Sequence, residues 1–164
     1  MKKYLVSMVL ALVAIVLLSG CGTSEERAAR AAEQVAKVRS ALKERHFKIG
    51  VDHMYPMKGG MKSVSYGYSV EVRNDSLISY LPYIGRAYNV PYGGGNGLNF
   101  AERIGSYHEN QVKDGKWHID IDVTNEEDTY RYQIDVFDNG SSSISVESRQ
   151  RERISYSGEM DFRK

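Results

Sequence analysis

Apolar and polar side chains alternate along much of the chain after residue 46, and this period of two constrains the fold more than any other feature. Val64 to Arg73 shows the alternation clearly, and Trp117 to Val123 repeats it. Successive side chains of a β-strand point to opposite faces, so alternation indicates strands with one buried and one solvated face. The runs are separated at Asn74-Asp75, Asp114-Gly115 and Asn139-Gly140, which are residue pairs that favour tight turns.

These runs amount to about eight short antiparallel strands in up-and-down order. We therefore predict a mainly β fold, an antiparallel up-and-down sheet that forms a sandwich or a partly closed barrel, preceded by one N-terminal α-helix. An open curved sheet also satisfies the pattern, and the sequence does not choose among these architectures.

The N-terminal helix is predicted from Thr23 to about Arg45. Thr23 and Glu26 have capping-box spacing, and no Gly or Pro follows until Gly50. The apolar face of this helix is mostly alanine, so it buries little area. We expect it to pack lightly on the following domain or to act as a stalk, with docking of a partner helix as the less favoured alternative.

The first 21 residues have the layout of a bacterial lipoprotein signal. Two lysines precede an apolar run of about 14 residues, Leu5 to Leu18, which is shorter than the roughly 20 residues needed to span a membrane. The tetrapeptide Leu18-Ser19-Gly20-Cys21 then matches the lipobox. We predict cleavage between Gly20 and Cys21 and a diacylglyceryl group on the Cys21 thiol, with two or three palmitate-type chains holding the protein stably. An ordinary secretory signal and an uncleaved anchor are the alternatives.

Cleavage would leave a lipidated cysteine and helical tether at 21–45 and a single antiparallel β domain at 46–164. Cys21 is the one cysteine of the chain, so its acylation excludes disulfides, thiol catalysis and cysteine metal ligands. The chain has 22 Lys and Arg residues against 21 Asp and Glu residues, a balance that argues against nucleic-acid binding.

Tyrosine is unusually frequent, with 12 residues in the chain, and several surround Leu81-Pro82 and a glycine-rich loop at 93–97. An aromatic ring with a hydroxyl group suits glycans, peptides or protein partners. A purely structural role is the alternative. The predicted binding face consists of Tyr80, Tyr83, Arg86, Tyr88 and Tyr92.

Arg149, Arg151 and Arg153 alternate along the chain and are predicted to form a cationic stripe on one face of a strand. Three guanidinium groups could contact a phosphate, a sulfate or a glycan carboxylate. The alternative, which we favour, is that these charges protect an edge strand from aggregation.

His118, Asp120 and Asp122 are predicted to share one face of a strand. Alternate side chains on a strand lie about 6.5 to 7 Å apart, too far for all three to bind one metal ion without another element. We therefore favour a solvated polar face, and assign no catalytic residue, no metal ligand and no cofactor.

Three segments carry a resemblance to a known family: Leu81 to Tyr88 with Pro91-Tyr92, Gly97 to Phe100, and Ile154 to Gly158. The chain resembles small lipoproteins of gut-type Bacteroidetes that are classed as a domain of unknown function. The resemblance implies a lipid-anchored protein of the bacterial cell envelope, on the outer membrane, and supplies no activity. It also implies that the first and last motifs lie close together, with Gly85 and Gly158 at tight backbone contacts.

We therefore predict a lipid-anchored, non-enzymatic envelope protein whose β domain binds a ligand or a partner. One alternative is a periplasmic hydrolase that uses carboxylates such as Asp120 and Asp122 with His118. Another is a structural accessory subunit of an outer-membrane complex. The expected partners are the membrane, through the N-terminal lipid, and a glycan, a peptide or an envelope protein, but not nucleic acid.

Overall fold

The computed structural model describes residues 24–65, 67–89 and 96–162. The described residues form one helix, α1 (Ser24–Lys43), followed by strands, which confirms the mainly β fold with a single N-terminal helix. The strands are β1 His46–Pro56, β2 Lys62–Ser63, β3 Ser69–Arg73, β4 Ser76–Leu81, β5 Leu98–Lys113, β6 Lys116–Thr124, β7 Thr129–Phe137, β8 Ser141–Ser148 and β9 Ile154–Asp161.

The sheet closes on itself, which decides between the sandwich and the barrel. Strands β3 to β9 pair in chain order, and β1 pairs with both β3 and β9, so that eight antiparallel strands form a closed barrel. Along the β1–β9 seam, Lys48 lies opposite Asp161 and Pro56 lies opposite Ile154. The short strand β2 is an extra strand on β1.

Gly158 makes this seam possible. A Cβ atom at Gly158 would overlap the carbonyl oxygen of Gly50 and would lie 2.9 Å from the Cα of Val51. The register of β1 against β9 also shifts between Val51 and His53, as it does at a β-bulge. The tight backbone contact that the resemblance implied for Gly158 is therefore confirmed.

The prediction of one continuous strand from Val64 to Arg73 is wrong. β2 ends at Ser63 and β3 begins at Ser69, with Gly67 between them at a φ of 111°. This left-handed backbone conformation is open to glycine and interrupts a strand. Tyr66 lies outside the described residues.

The interior of the barrel is filled by side chains. Tyr130, Tyr132 and Tyr156 are fully buried among the Ile, Val and Leu side chains of the core. The Tyr132 hydroxyl donates to Ser79 Oγ at 2.9 Å, and Ser79 Oγ donates to the carbonyl of Leu98 at 2.7 Å. An eight-stranded barrel is narrow enough for side chains to fill it, and this one is a packed core.

The strand register defines two ends of the barrel. The helix end contains residues 34–45 and the turns at 74–75, 114–115 and 138–140, whereas the described residues of the loop end are 57–65, 67–68, 82–89, 96–97, 125–128 and 149–153. At the helix end, Val38 and Leu42 of α1 are buried in the core. Arg39 pairs with Asp138 there, with 3.1 Å between the guanidinium and the carboxylate.

The chain divides into two compact units, Met1–Glu33 and Gln34–Lys164. The described part of the first unit, residues 24–33, is helical. The second unit contains the rest of α1 and the whole barrel, so at least residues 34–43 pack on the β domain. Within the described ranges, no helix has the length and apolar character needed to cross a membrane.

Candidate functional site

The segment 82–89 leaves β4 and crosses the loop end. β4 ends at Leu81, and Pro82 has no N–H group to continue the ladder. The segment instead pairs with residues 150–152: the Tyr88 N–H donates to the Gln150 carbonyl at 2.7 Å, and the Glu152 N–H donates to the Arg86 carbonyl at 2.9 Å. We call residues 82–89 the strap.

The strap is also held from inside the barrel. The Tyr156 hydroxyl, on β9, donates to the Pro82 carbonyl at 2.7 Å. This contact confirms that the segment beginning at Leu81 and the strand from Ile154 to Gly158 lie close together, as the resemblance implied.

Tyr83 helps to hold the strap in place. Its hydroxyl lies 2.9 Å from the Arg86 carbonyl and 3.0 Å from the Glu152 carbonyl, and the Arg151 guanidinium lies 5.6 Å from its ring centre. Burial raises the pKa of the Tyr83 hydroxyl, and the Glu152 carboxylate adds to this rise while Arg151 opposes it. Tyr83, a member of the predicted binding face, therefore already uses its hydroxyl within the fold.

Gly85 lets Tyr83 take this position. A Cβ atom at Gly85 would lie 2.9 Å from the ring carbon that carries the Tyr83 hydroxyl. The resemblance implied a tight backbone contact at Gly85, and the structure corrects this in part, because the close neighbour is a side chain.

Other members of the predicted face are open to solvent. Tyr80 is 52% exposed and Tyr88 is 69% exposed, and Arg86 is also exposed. The Tyr80 ring stacks on Tyr68, with 5.0 Å between ring centres. Tyr92 lies outside the described residues.

Sequence reasoning missed Ile84, which is 43% exposed in the strap between Tyr83 and Tyr88. The available signal was Pro82, which cannot continue a strand ladder and lies two residues before this apolar side chain. Tyr80, Ile84, Arg86 and Tyr88 are exposed in and beside the strap, and we call these four residues the tyrosine face.

The predicted stripe of three arginines is not formed. Strand β9 begins at Ile154, so residues 149–153 lie before it and do not alternate as a strand. Arg151 is 9% exposed, and its guanidinium lies 3.3 Å from the Glu127 carboxylate. Arg153 pairs with Glu147 at 3.3 Å and donates to Ser145 Oγ at 2.8 Å, while Arg149 is exposed. Anion contacts at these residues stay a prediction, without the shared face that suggested them.

The loop that contains Arg149 and Arg151 is ordered by a buried carboxylate. Asp128 is 9% exposed and accepts hydrogen bonds from the backbone N–H groups of Thr129 at 2.7 Å and Gln150 at 3.0 Å. This carboxylate thus joins the β6–β7 turn to the chain before β9, under the strap.

His118, Asp120 and Asp122 lie on the outer wall of the barrel, and two of them meet. His118 Nε2 is 3.4 Å from Asp120, while its Nδ1 is 2.7 Å from Asp135 of β7. Asp122 is directed instead to Arg131, at 2.8 Å.

Hydrogen bonds and ion pairs lower the pKa values of two carboxylates on this outer wall, Asp135 and Asp122. Burial tends to raise the pKa of Asp135, but hydrogen bonds from His118 and Lys116 outweigh it, and the pKa is lowered. The Arg131 hydrogen bond lowers the pKa of Asp122 against the opposing effect of burial. In the described part of the chain, no group of three His, Cys, Asp or Glu side chains is placed to hold a metal ion.

Two clefts open along the outer surface of β1. One has a volume of about 480 Å³ and is lined by Lys48, Gly50 and Tyr68, among others, and the second, of about 770 Å³, lies between α1 and the strands. The predicted site residues that the structure describes are absent from both linings.

Comparison with known proteins finds a matching family and a solved structure with a similar fold. The sequence profile of the family described as a domain of unknown function (DUF4251) matches residues 29–160. The crystal structure of a DUF4251 family protein from Bacteroides eggerthii DSM 20697 is similar, with a TM-score of 0.61 at 14% sequence identity, over 79% of this chain and 87% of that chain. At this identity the likeness shows the fold alone. No curated protein sequence matches the chain.

Proposed function

This chain belongs to the DUF4251 family, and from that premise we propose that it is a lipid-anchored, non-enzymatic protein of the bacterial cell envelope whose β domain binds a ligand or partner through the tyrosine face. The family description supplies no activity, so the proposal rests on the residues of this chain. Its two parts, the anchor and the binding surface, have separate support and separate tests.

The binding surface is supported by the contrast between a filled barrel and an exposed strap. Since core side chains occupy the interior, a ligand would have to bind outside it. Tyr80 and Tyr88 leave more than half of their surface in contact with water, although the same fold buries three other tyrosines completely. Aromatic rings held open in this way are enriched at recognition surfaces.

The strap is suited to presenting such residues. Its backbone is held by hydrogen bonds to Gln150, Glu152 and Tyr156, so its exposed side chains project from a fixed segment, while Tyr80 projects from β4 beside it. A preorganised surface loses less conformational entropy on binding. Arg86 adds a cation beside the rings and would favour a partner with a carboxylate or a sulfate group.

The binding proposal can be tested by native mass spectrometry of residues 22–164 exported to a bacterial periplasm. We expect an added mass, or a stoichiometric envelope partner, that is lost in the Tyr80→Ala/Tyr88→Ala variant. Phe137→Ala removes a ring that is 37% exposed at the helix end and should leave the complex intact. An added species retained by the double variant would contradict the proposal.

The anchor is supported by the signal layout from Met1 to Cys21, which lies outside the described residues. Expression with the native signal should give a chain that incorporates labelled palmitate and fractionates with the outer membrane. Cys21→Ser should abolish both results. An unmodified Cys21 in the soluble fraction would exclude the lipid anchor while leaving the binding surface open to its own test.

A further inference from the structure

A second exposed apolar feature lies at the loop end, in the hairpin that joins β1 to β2. Met57 is 65% exposed and Met61 is 57% exposed. Between them, Gly59 and Gly60 have φ angles of 96° and 70°, a left-handed conformation that allows the chain to turn sharply. We call residues 55–62 the hairpin tip.

The base of the hairpin tip is fixed to the barrel. Met54 lies opposite Lys62, and His53 lies opposite Ser63, in the β1–β2 pairing. The neighbouring Tyr55 is 43% exposed, and its hydroxyl lies 3.2 Å from Ser157 Oγ on β9. The two methionines therefore extend from a hairpin whose base is paired into the sheet, rather than from a free terminus.

The hairpin tip is cationic. Lys58 and Lys62 are exposed, and each directly follows one of the two methionines. No acidic residue occurs between Asp52 and Glu71, although the chain as a whole has 21 acidic residues. An anionic surface would therefore meet no repelling negative charge along this part of the sequence.

We propose that the hairpin tip binds an anionic lipid surface, with Met57 and Met61 in the boundary between headgroups and acyl chains and with Lys58 and Lys62 at the phosphates. Peripheral segments bind bilayers by burying apolar side chains and by attraction of basic residues to anionic lipids, and this hairpin supplies both. Tyr55, with a ring and a hydroxyl, suits the headgroup level. Long lysine side chains can keep their ammonium groups in water while the neighbouring side chains enter the lipid.

A bilayer fits this tip better than a protein groove does. The four residues form two Met-Lys pairs on either side of a Gly-Gly turn, so apolar and cationic groups are interleaved over a short distance. A protein partner would need matched apolar and acidic positions at the same spacing. A fluid anionic membrane presents both to any protruding tip.

The test uses the chain from Thr23 onward, which lacks Cys21 and so cannot be acylated. It retains all described residues, including the whole of the Gln34–Lys164 unit, and circular dichroism verifies that it folds. Binding is measured by co-sedimentation with vesicles of phosphatidylcholine alone or mixed with phosphatidylglycerol. We expect binding to the mixed vesicles that weakens as salt is added.

Paired variants separate the two contributions. Lys58→Gln/Lys62→Gln should weaken binding to the anionic vesicles by about twenty-fivefold, since each basic residue near such a surface contributes roughly a factor of five. Met57→Ser/Met61→Ser should weaken it by more than about tenfold. Val112→Ser changes a residue that is 60% exposed at the helix end and should bind as the unchanged chain does.

Failure of the unchanged chain to bind anionic vesicles would overturn the proposal and favour a protein partner for the hairpin tip. Equal binding by all three variants would also overturn it. The outcome does not depend on acylation or on a ligand of the tyrosine face, so it can fail while the proposed function holds.

Discussion

The two ends of the barrel are closed in different ways. At the helix end, the apolar side chains of Val38 and Leu42 enter the core from α1. At the loop end, the strap is held mainly by hydrogen bonds to backbone carbonyls, including that from Tyr156 to Pro82. The helix end is stabilised by burial of apolar side chains, whereas the hydrogen-bonded backbone of the strap allows Ile84, Arg86 and Tyr88 to face outward.

The exposed apolar residues follow this division. Val112 and Phe137 are exposed at the helix end. Among the described residues, the large apolar and aromatic side chains exposed at the loop end are Tyr55, Met57, Met61, Tyr80, Ile84 and Tyr88. The loop end therefore concentrates the surface that a partner could cover, and the helix end serves chiefly to complete the core.

The largest effect is expected from Leu42→Ala at the helix end. Leu42 is 1% exposed, and truncation of a buried leucine leaves a cavity, so unfolding free energy should fall by about 2 to 5 kcal/mol. Urea denaturation followed by circular dichroism measures the change. Val112→Ala, at an exposed position of the same end, should have little effect. A loss below about 1 kcal/mol for Leu42→Ala would show that the helix is not part of the core.

The next effect is expected from Gly85→Ala in the strap. The new methyl group would collide with the Tyr83 ring, and overpacking of this kind costs about 1 to 3 kcal/mol. Thermal unfolding should show the loss. Gly50→Ala is the matched control, because the nearest atom to a Cβ there, the Glu159 carbonyl oxygen, is 3.9 Å away. Equal stability of the two variants would indicate that Tyr83 does not hold the strap.

A smaller effect is expected from Tyr156→Phe, which removes the hydrogen bond to Pro82 without removing the ring. The loss should be about 1 kcal/mol, since a partly buried hydrogen bond is removed. Faster amide exchange in the strap than at the helix end would locate the effect. Tyr55→Phe, where the hydroxyl is on an exposed residue, should be nearly neutral, and a uniform increase in exchange at both ends would contradict a local role for Tyr156.

The smallest effect concerns two carboxylates on the outer wall, Asp135 toward the helix end and Asp122 toward the loop end. The folded state lowers the pKa of each, so each stabilises the protein above the pKa of the unfolded chain, and this contribution is lost as pH falls through the lower folded value. Asp135→Asn should cost about 1 kcal/mol or less at neutral pH and nothing well below about pH 4. Asp122→Asn should lower the unfolding free energy by less. The Asp122 side chain is 38% exposed, whereas that of Asp135 is 27% exposed. Denaturant midpoints across this pH range would test both, and a cost that persists in acid would exclude ion pairing as its cause.

The local structure was largely predictable from sequence. Asn74, Gly115 and Gly140 adopt positive φ angles of 53°, 74° and 86°, as the turn pairs indicated, and antiparallel strands flank each of these turns. Strand and turn preferences arise from steric contacts within a few residues, so they can be read from a short window.

The candidate site was only partly predictable. Tyr80, Tyr83 and Tyr88 are equivalent in composition arguments, yet the structure uses the Tyr83 hydroxyl within the fold and exposes the other two rings. Arg151 looked like one of three surface arginines but is buried against Glu127. Each of these differences depends on residues that are distant in sequence, such as Glu152 beside Tyr83, and no local pattern encodes them.

The alternating strands, the hairpin turns and the helix before them follow from local sequence patterns, and the sequence also carries the signal layout from which the lipid anchor is predicted. Closure of the sheet and the exposure of particular tyrosines depend on the packing of the whole domain. Closure requires the backbone of Gly158 to lie in close contact with the backbone of Gly50. These two glycines are far apart in the chain, and each looks like an ordinary glycine in a strand. Such long-range contacts depend on how all the strands pack together, which is why a short stretch of sequence cannot reveal them.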